Sequence, residues 1–262
     1  MLKKLLVVLI TISLLIGFTG CNKAKVSGTV KDGTLIVGFD QNFPPMGFVD
    51  DNGKFTGFDL ELAAIVAERL GLKLVLQPIA WSAKDMELAS KNIDCVWNGF
   101  TINGREDKYT WTEPYMENYQ VFMVRKDSGI KSIADLAGKV VAVQLDSSAE
   151  TALKDKPELV ESFADYIKAA HYNNAIMDLE SGAVDAVALD EVVARYQNEK
   201  RGEKFEILEE KLAAEEYGVG FLLGNTELRD KIQKVLDEMA ADGTLAKVSE
   251  KWFGKDVTTL GK

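Results

Sequence analysis

Histidine and cysteine are nearly absent. The 262 residues hold one His, His171, and two Cys, Cys21 and Cys95. That scarcity excludes most His- or Cys-rich metal sites, and any His-dependent triad that does not use His171. Basic charge is short as well: Lys plus Arg number 31 against 41 Asp plus Glu, for a formal net charge of −10. Such a chain binds polyanions poorly, which argues against nucleic acid as a partner. Beyond residue 20 no apolar run is long enough for a membrane span, which takes about 20 residues. What is present is an ordinary globular balance, 47% hydrophobic and 27% charged residues. Wholesale disorder is excluded.

The first twenty residues read as an address. Lys3 and Lys4 give a basic start, and Leu5 to Ile16 is apolar apart from Thr11 and Ser13. Small residues then precede a cleavage point, as in a secretory signal. Phe18-Thr19-Gly20-Cys21 resembles a bacterial lipobox, with Phe18 where Leu is commoner. The expectation is a signal peptide over 1–20, lipid on Cys21 as the mature N-terminus, and a tether over 21–33. Cleavage nearby with Cys21 unmodified is the alternative. Losing two lysines and no acids takes the net charge from −10 to −12. Cys95 is then left without an intrachain disulfide partner, and it reads as a small apolar core residue.

Along the rest of the chain, apolar strand patterns alternate with amphipathic helix patterns. Strands are expected at 34–39, 54–56, 72–76, 94–97, 121–124, 140–143, 186–189 and 217–223, with 40–47 as a loop. Asp59 is expected to cap a helix carrying Leu62, Ile65, Val66 and Leu70, which Gly71 stops. Ser147-Ser148 caps a helix from Ala149, and Thr226 caps one bearing Leu228, Ile232, Val235, Leu236 and Met239. The alternation predicts an α/β fold of mostly parallel sheets flanked by helices. An internal repeat points to two similar lobes: Met86–Val96 matches Met177–Val187, each copy helix, turn, Asp and strand. Asp94 and Asp185, the repeated acids, read as turn residues.

Six stretches carry a family resemblance. They are Phe43-Pro44-Pro45-Met46-Gly47-Phe48, Thr56 to Leu62, Asp94 to Arg105, Trp111-Thr112-Glu113-Pro114-Tyr115, Leu136 to Val143, and Asp242-Gly243-Thr244-Leu245 with Trp252-Phe253. Together and in order, they resemble the polar amino-acid-binding (family 3) solute-binding lipoproteins of ABC transporters. The resemblance implies a two-lobed periplasmic-binding-protein-like fold. Lobe 1 would comprise 34–122 and 220–262, and lobe 2 would comprise 123–219, with two hinge crossings. It implies a polar L-amino acid as ligand, ABC permease subunits as partners, no cofactor, no metal and a monomer held outside the cytoplasmic membrane by its lipid.

A zwitterion leaving water needs both its charges paired. By resemblance, Arg105 forks onto the α-carboxylate and Asp190 receives the α-ammonium. Gly99 and Thr101 would contact the ligand backbone, and Ser148 would stand at an anion-favouring helix start. Phe43 and Trp81 would wall the ligand side chain, with Asp40 and Gln144 at its polar tip. An acid there favours glutamine or a basic ligand. Two departures stand out. The Ile102-Asn103-Gly104 loop before Arg105 is one residue shorter than is usual in the family, leaving Arg125 as a distant reserve. Asp146 replaces a usual Gly. Two other functions share the fold, a cyclohexadienyl dehydratase-like enzyme and a stand-alone amino-acid sensor. The dehydratase would need a free general acid in the cleft.

Overall fold

The computed structural model describes residue 30 and residues 33–262. The expected signal peptide and Cys21, and the tether apart from Val30 and Gly33, lie outside the described residues. The chain runs β1 (Thr34–Phe39), β2 (Asn42–Phe43), β3 (Gly47–Val49), β4 (Phe55–Thr56), α1 (Phe58–Arg69), β5 (Lys73–Pro78), α2 (Lys84–Ala89), β6 (Cys95–Thr101) and β7 (Tyr109–Trp111). It continues as β8 (Met116–Arg125), β9 (Val140–Gln144), α3 (Ser148–Lys154), α4 (Pro157–Ser162), β10 (Asp165–Ala169), α5 (Tyr172–Ser181), β11 (Ala186–Asp190), α6 (Glu191–Lys200) and β12 (Phe205–Ile207). The last elements are β13 (Ala213–Leu222), α7 (Thr226–Ala241) and α8 (Thr244–Phe253).

The main sheet has the order β10-β9-β11-β8-β13-β6-β1-β5. Its two ends are parallel sets, β5-β1-β6 and β10-β9-β11. Between them β8 and β13 pair antiparallel, β8 handing on to β11 and β13 to β6. The expected crossings at 122–123 and 219–220 fall inside these two strands. Central strands covered on both faces are mostly apolar, and every residue of β6 and β11 is buried, with the polar Asn98, Thr101 and Asp190 towards their C-terminal ends. The outer strands β5 and β10 are only partly buried.

The repeat has a structural meaning. Asp94 accepts the Ile36 N–H at 2.8 Å, and Asp185 accepts the Val140 N–H at 2.9 Å. Each Asp also donates its own N–H to the carbonyl of that same residue, at 2.8 Å in both copies. The two acids therefore lock β6 to β1 and β11 to β9 in the same way.

Several expected details differ. The 40–47 loop contains β2 and the first residue of β3. Gly57, not Asp59, is the N-cap of α1, and Asp59 sits fully buried inside the first turn. Asn225, not Thr226, caps α7, and α3 begins one residue early, at Ser148 behind the Ser147 cap. The apolar stripe of α7 is buried as its spacing requires: Leu228, Ile232, Val235, Leu236 and Met239. Cys95 is buried in the core, and burial pushes its thiol well up.

Candidate functional site

Open α/β sheets bind ligands beyond the C-terminal ends of their parallel strands. Four such ends converge here from both sets. Asp40 follows β1, Gly99 and Thr101 finish β6, Gln144 ends β9 and Asp190 ends β11. Between them lies a small cavity lined by Phe43, Trp81, Gly99, Thr101, Gln144, Ser148 and Asp190. Asn98, Ser147 and Tyr172 complete its wall and were not anticipated.

Asp40 and Arg105 stand outside that lining. The Gln144 side-chain amide donates to Asp40 Oδ2 at 2.7 Å, so the two sets are bridged beside the cavity. His171, the single histidine, places Nδ1 3.7 Å from the other Asp40 oxygen. Arg105 is buried by a tight turn in which its N–H reaches the Ile102 carbonyl at 2.8 Å. Its guanidinium lies over the Phe100 ring, 5.5 Å from the centroid, and donates once, to the Thr101 carbonyl at 3.2 Å. The turn thus folds Arg105 back onto β6. Arg125 is no reserve for it: its guanidinium is committed to the Leu179 and Val184 carbonyls, at 3.0 and 2.9 Å.

Gly99 adopts a left-handed φ of +55° where the pairing of β6 with β13 shifts register. Its N–H is taken by Asp59 Oδ2 at 2.5 Å. Burial pushes that carboxyl up to about 7, although the Gly99 N–H opposes the rise. Ser148 accepts from Gln120 at 2.9 Å, while the neighbouring Ser147 hydroxyl accepts the Glu150 N–H at 3.1 Å.

Asp146 is paired with Lys84, which is only 2% exposed and lies over the Trp81 ring. Burial pulls the Lys84 ammonium down, and Asp146 opposes that fall. The pair is a second contact between the two sets, since Lys84 opens α2 and Asp146 follows β9. Asp146 itself takes a left-handed φ of +61°, a conformation that would suit the Gly that the resemblance implies there.

Glu215 on β13 was also missed. It accepts from the Thr101 hydroxyl at 2.7 Å, Asn118 Nδ2 at 2.5 Å and Gln120 Nε2 at 2.8 Å. Strand alternation was the available signal, because Tyr217 two residues on points to the same buried face. Among the described residues no cluster of three His, Cys, Asp or Glu is placed to hold a metal ion, and no helix is long and apolar enough to cross a membrane.

Comparison with known proteins adds to this geometry. The family profile of bacterial extracellular solute-binding proteins, family 3, matches residues 35–255. The L-cystine-binding protein TcyJ of Escherichia coli K12 is 35% identical over 229 residues, 86% of this chain and 85% of that protein. An ABC uptake transporter substrate-binding protein from Streptococcus pneumoniae, solved with bound histidine, superposes with a TM-score of 0.84 at 34% identity. That match covers 87% of this chain and 95% of the other. An ancestral arginine-binding protein bound to arginine gives 0.79 at 40% identity, covering 85% and 99%.

Proposed function

The chain belongs to the bacterial extracellular solute-binding proteins, family 3, and from that premise we propose that it captures one polar L-amino acid for an ABC importer. The family is one of substrate-binding proteins rather than enzymes, and the fold is the two-lobed α/β fold of its structural relatives. In our reading the lobes divide at 122–123 and 219–220, so that the hinge runs through β8 and β13. The mature protein is a monomer, tethered by lipid on Cys21 outside the cytoplasmic membrane, where it delivers ligand to permease subunits. Tethering keeps it near the permease at a raised effective concentration.

The observation that carries the reading is the cavity at the convergent strand ends, with two aromatic walls and one buried acid. Asp190 receives the α-ammonium. Arg105 swings from the Thr101 carbonyl to fork onto the α-carboxylate. Phe43 and Trp81 sandwich the side chain. Contacts shared between lobes stabilise only the closed form, so ligand shifts the hinge equilibrium.

Asp40 and Gln144 near the side-chain end favour glutamine or a basic amino acid. The arginine- and histidine-bound relatives support the basic choice. Cystine is a second reading, favoured by the relative named for it.

The test is a thermal-shift screen of the twenty amino acids with cystine and ornithine. A ligand at 100 times its Kd adds about 2.7 kcal/mol of stability. Arg105→Ala is expected to abolish the shift and keep the fold. A variant that binds as well as the parent would remove Arg105 from the site.

A further inference from the structure

Glu215 and Asp190 make an unusual pair. Both carboxyls are buried, and the Asn118 amide donates to both, at 2.5 Å to Glu215 and 3.3 Å to Asp190. An oxygen of each carboxyl thus stands within hydrogen-bonding distance of the same nitrogen, Asn118 Nδ2. The Tyr217 hydroxyl donates to Asp190 at 2.6 Å, and the Thr101 and Gln120 side chains donate to Glu215.

The surrounding charges are engaged elsewhere. Lys84 pairs with Asp146, Arg105 bonds the Thr101 carbonyl, Arg195 and Lys211 pair with Glu191, and His171 faces Asp40. Among the described residues none of them pairs with Asp190 or Glu215. Two further polar atoms of the cavity wall, Asn98 Nδ2 and the Tyr172 hydroxyl, are buried without a hydrogen-bond partner among the described residues. Both atoms are therefore available to a polar ligand.

Two buried anions side by side are prohibitive, and like carboxyls at such range hold one proton between them. Burial, and then the charge of Glu215, push the Asp190 carboxyl well up, in keeping with that state.

We propose that Asp190 and Glu215 form a two-acid receptor for the ligand's primary ammonium, holding one proton in the empty cleft and releasing it when the ammonium enters. The inference rests on the amino-acid reading above. The balance is simple. A carboxylic acid–carboxylate pair plus R–NH3+ becomes two carboxylates and R–NH3+, and one H+ passes to water. No covalent bond to the ligand forms or breaks. Asp190 lines the cavity and touches the ammonium. Glu215 is a positioning residue, acting through the proton it shares and through Thr101, Asn118 and Gln120.

Calorimetric titration of the full chain tests this, using the amino acid that gives the largest thermal shift. Runs in two buffers of different ionisation enthalpy count the protons exchanged. About one proton released per amino acid is expected near pH 6. Affinity should tighten between pH 5 and 7 by up to about tenfold per pH unit. Glu215→Gln, checked for native circular dichroism, is expected to bind with little proton release and a nearly flat pH profile. His171 is present in both proteins, so the difference reports the acid pair. Parent protein that binds with no proton released overturns the proposal, as does a folded Glu215→Gln that releases as many protons as the parent. Should no amino acid shift the melting temperature, the binding reading itself falls, and the two failures are distinguishable.

Discussion

The side-chain amide of Gln144 donates to Asp40 Oδ2 at 2.7 Å, and this one hydrogen bond joins the ends of β9 and β1, strands from opposite parallel sets. The same amide reaches the Ala170 carbonyl at 3.2 Å, which fixes its direction. A bond between lobes exists only when the cleft is closed. Hydrogen bonds to charged groups contribute roughly 1.5–3 kcal/mol. Gln144→Ala is therefore expected to favour the open form and weaken ligand binding by about tenfold or more. Small-angle scattering of the free variant should show a larger radius of gyration than the parent, and calorimetry should show the loss of affinity.

Lys84 and Asp146 form the second link between the sets, but their exposures are unequal. Lys84 is 2% exposed and Asp146 about half exposed, at 51%. Removing the acid leaves a buried ammonium uncompensated. Breaking a fully buried pair costs roughly 3–5 kcal/mol, and water around Asp146 brings the expected loss below that range. Asp146→Asn isolates the charge, because Asn tolerates the left-handed backbone that Asp146 adopts. Lys84→Met in the same chain should recover most of the loss. Urea unfolding of the two single variants and the double variant measures the coupling.

The parts legible in the sequence were those set by local periodicity. β1 begins and ends where its pattern places it, and Asp94 and Asp185 do the same work in both copies of the repeat. β10 was not read from the sequence, because an edge strand with little buried surface leaves a weak alternation. β7 and β12 span three residues each, too few to show a period. Asp59 looked like a cap because acids before apolar runs usually are caps. Its true partner, the Gly99 N–H, lies forty residues away in sequence. Lys84 was passed over for a similar reason, since lysine is ordinarily a surface residue and only the tertiary contact with Asp146 explains its burial. The lining residues Asn98 and Tyr172 come from opposite sets, and no local pattern brings them together.

Two buried carboxyls should give the stability curve opposing slopes. Burial raises Glu150, but Lys154 and Lys168, each at 2.9 Å, outweigh it and hold the carboxyl down at about 2. A carboxyl lowered from 4.5 in the fold contributes stability above that value, and the contribution is lost as pH falls toward 2. Asp59 has the opposite sign. Burial raises it from 3.8 to about 7, so the fold binds its proton more tightly. Its contribution is greatest below 3.8 and is lost as pH rises to about 7. Asp59→Asn keeps an oxygen for the Gly99 N–H and should flatten the decline between about pH 4 and 7. Glu150→Gln should flatten the acid limb instead. Denaturation midpoints followed across pH check both.

Gly99 and Gly182 both hold a left-handed backbone, at φ +55° and +85°, yet their surroundings differ. A Cβ on Gly99 would lie 2.9 Å from Phe43 Cε1 and 3.2 Å from the Tyr217 ring. A Cβ on Gly182 would meet nothing closer than Arg125 at 3.7 Å. Gly182→Ala therefore carries only the backbone cost, about 1–2 kcal/mol. Gly99→Ala adds overpacking of about 1–3 kcal/mol. The displaced ring belongs to Phe43, a cavity wall, so Gly99→Ala should also weaken ligand binding, whereas Gly182→Ala should leave affinity unchanged. Phe43→Leu combined with Gly99→Ala is expected to recover part of the lost stability but not the affinity, because the aromatic wall is then missing. Chemical denaturation and calorimetry on the three variants separate backbone strain from the steric clash.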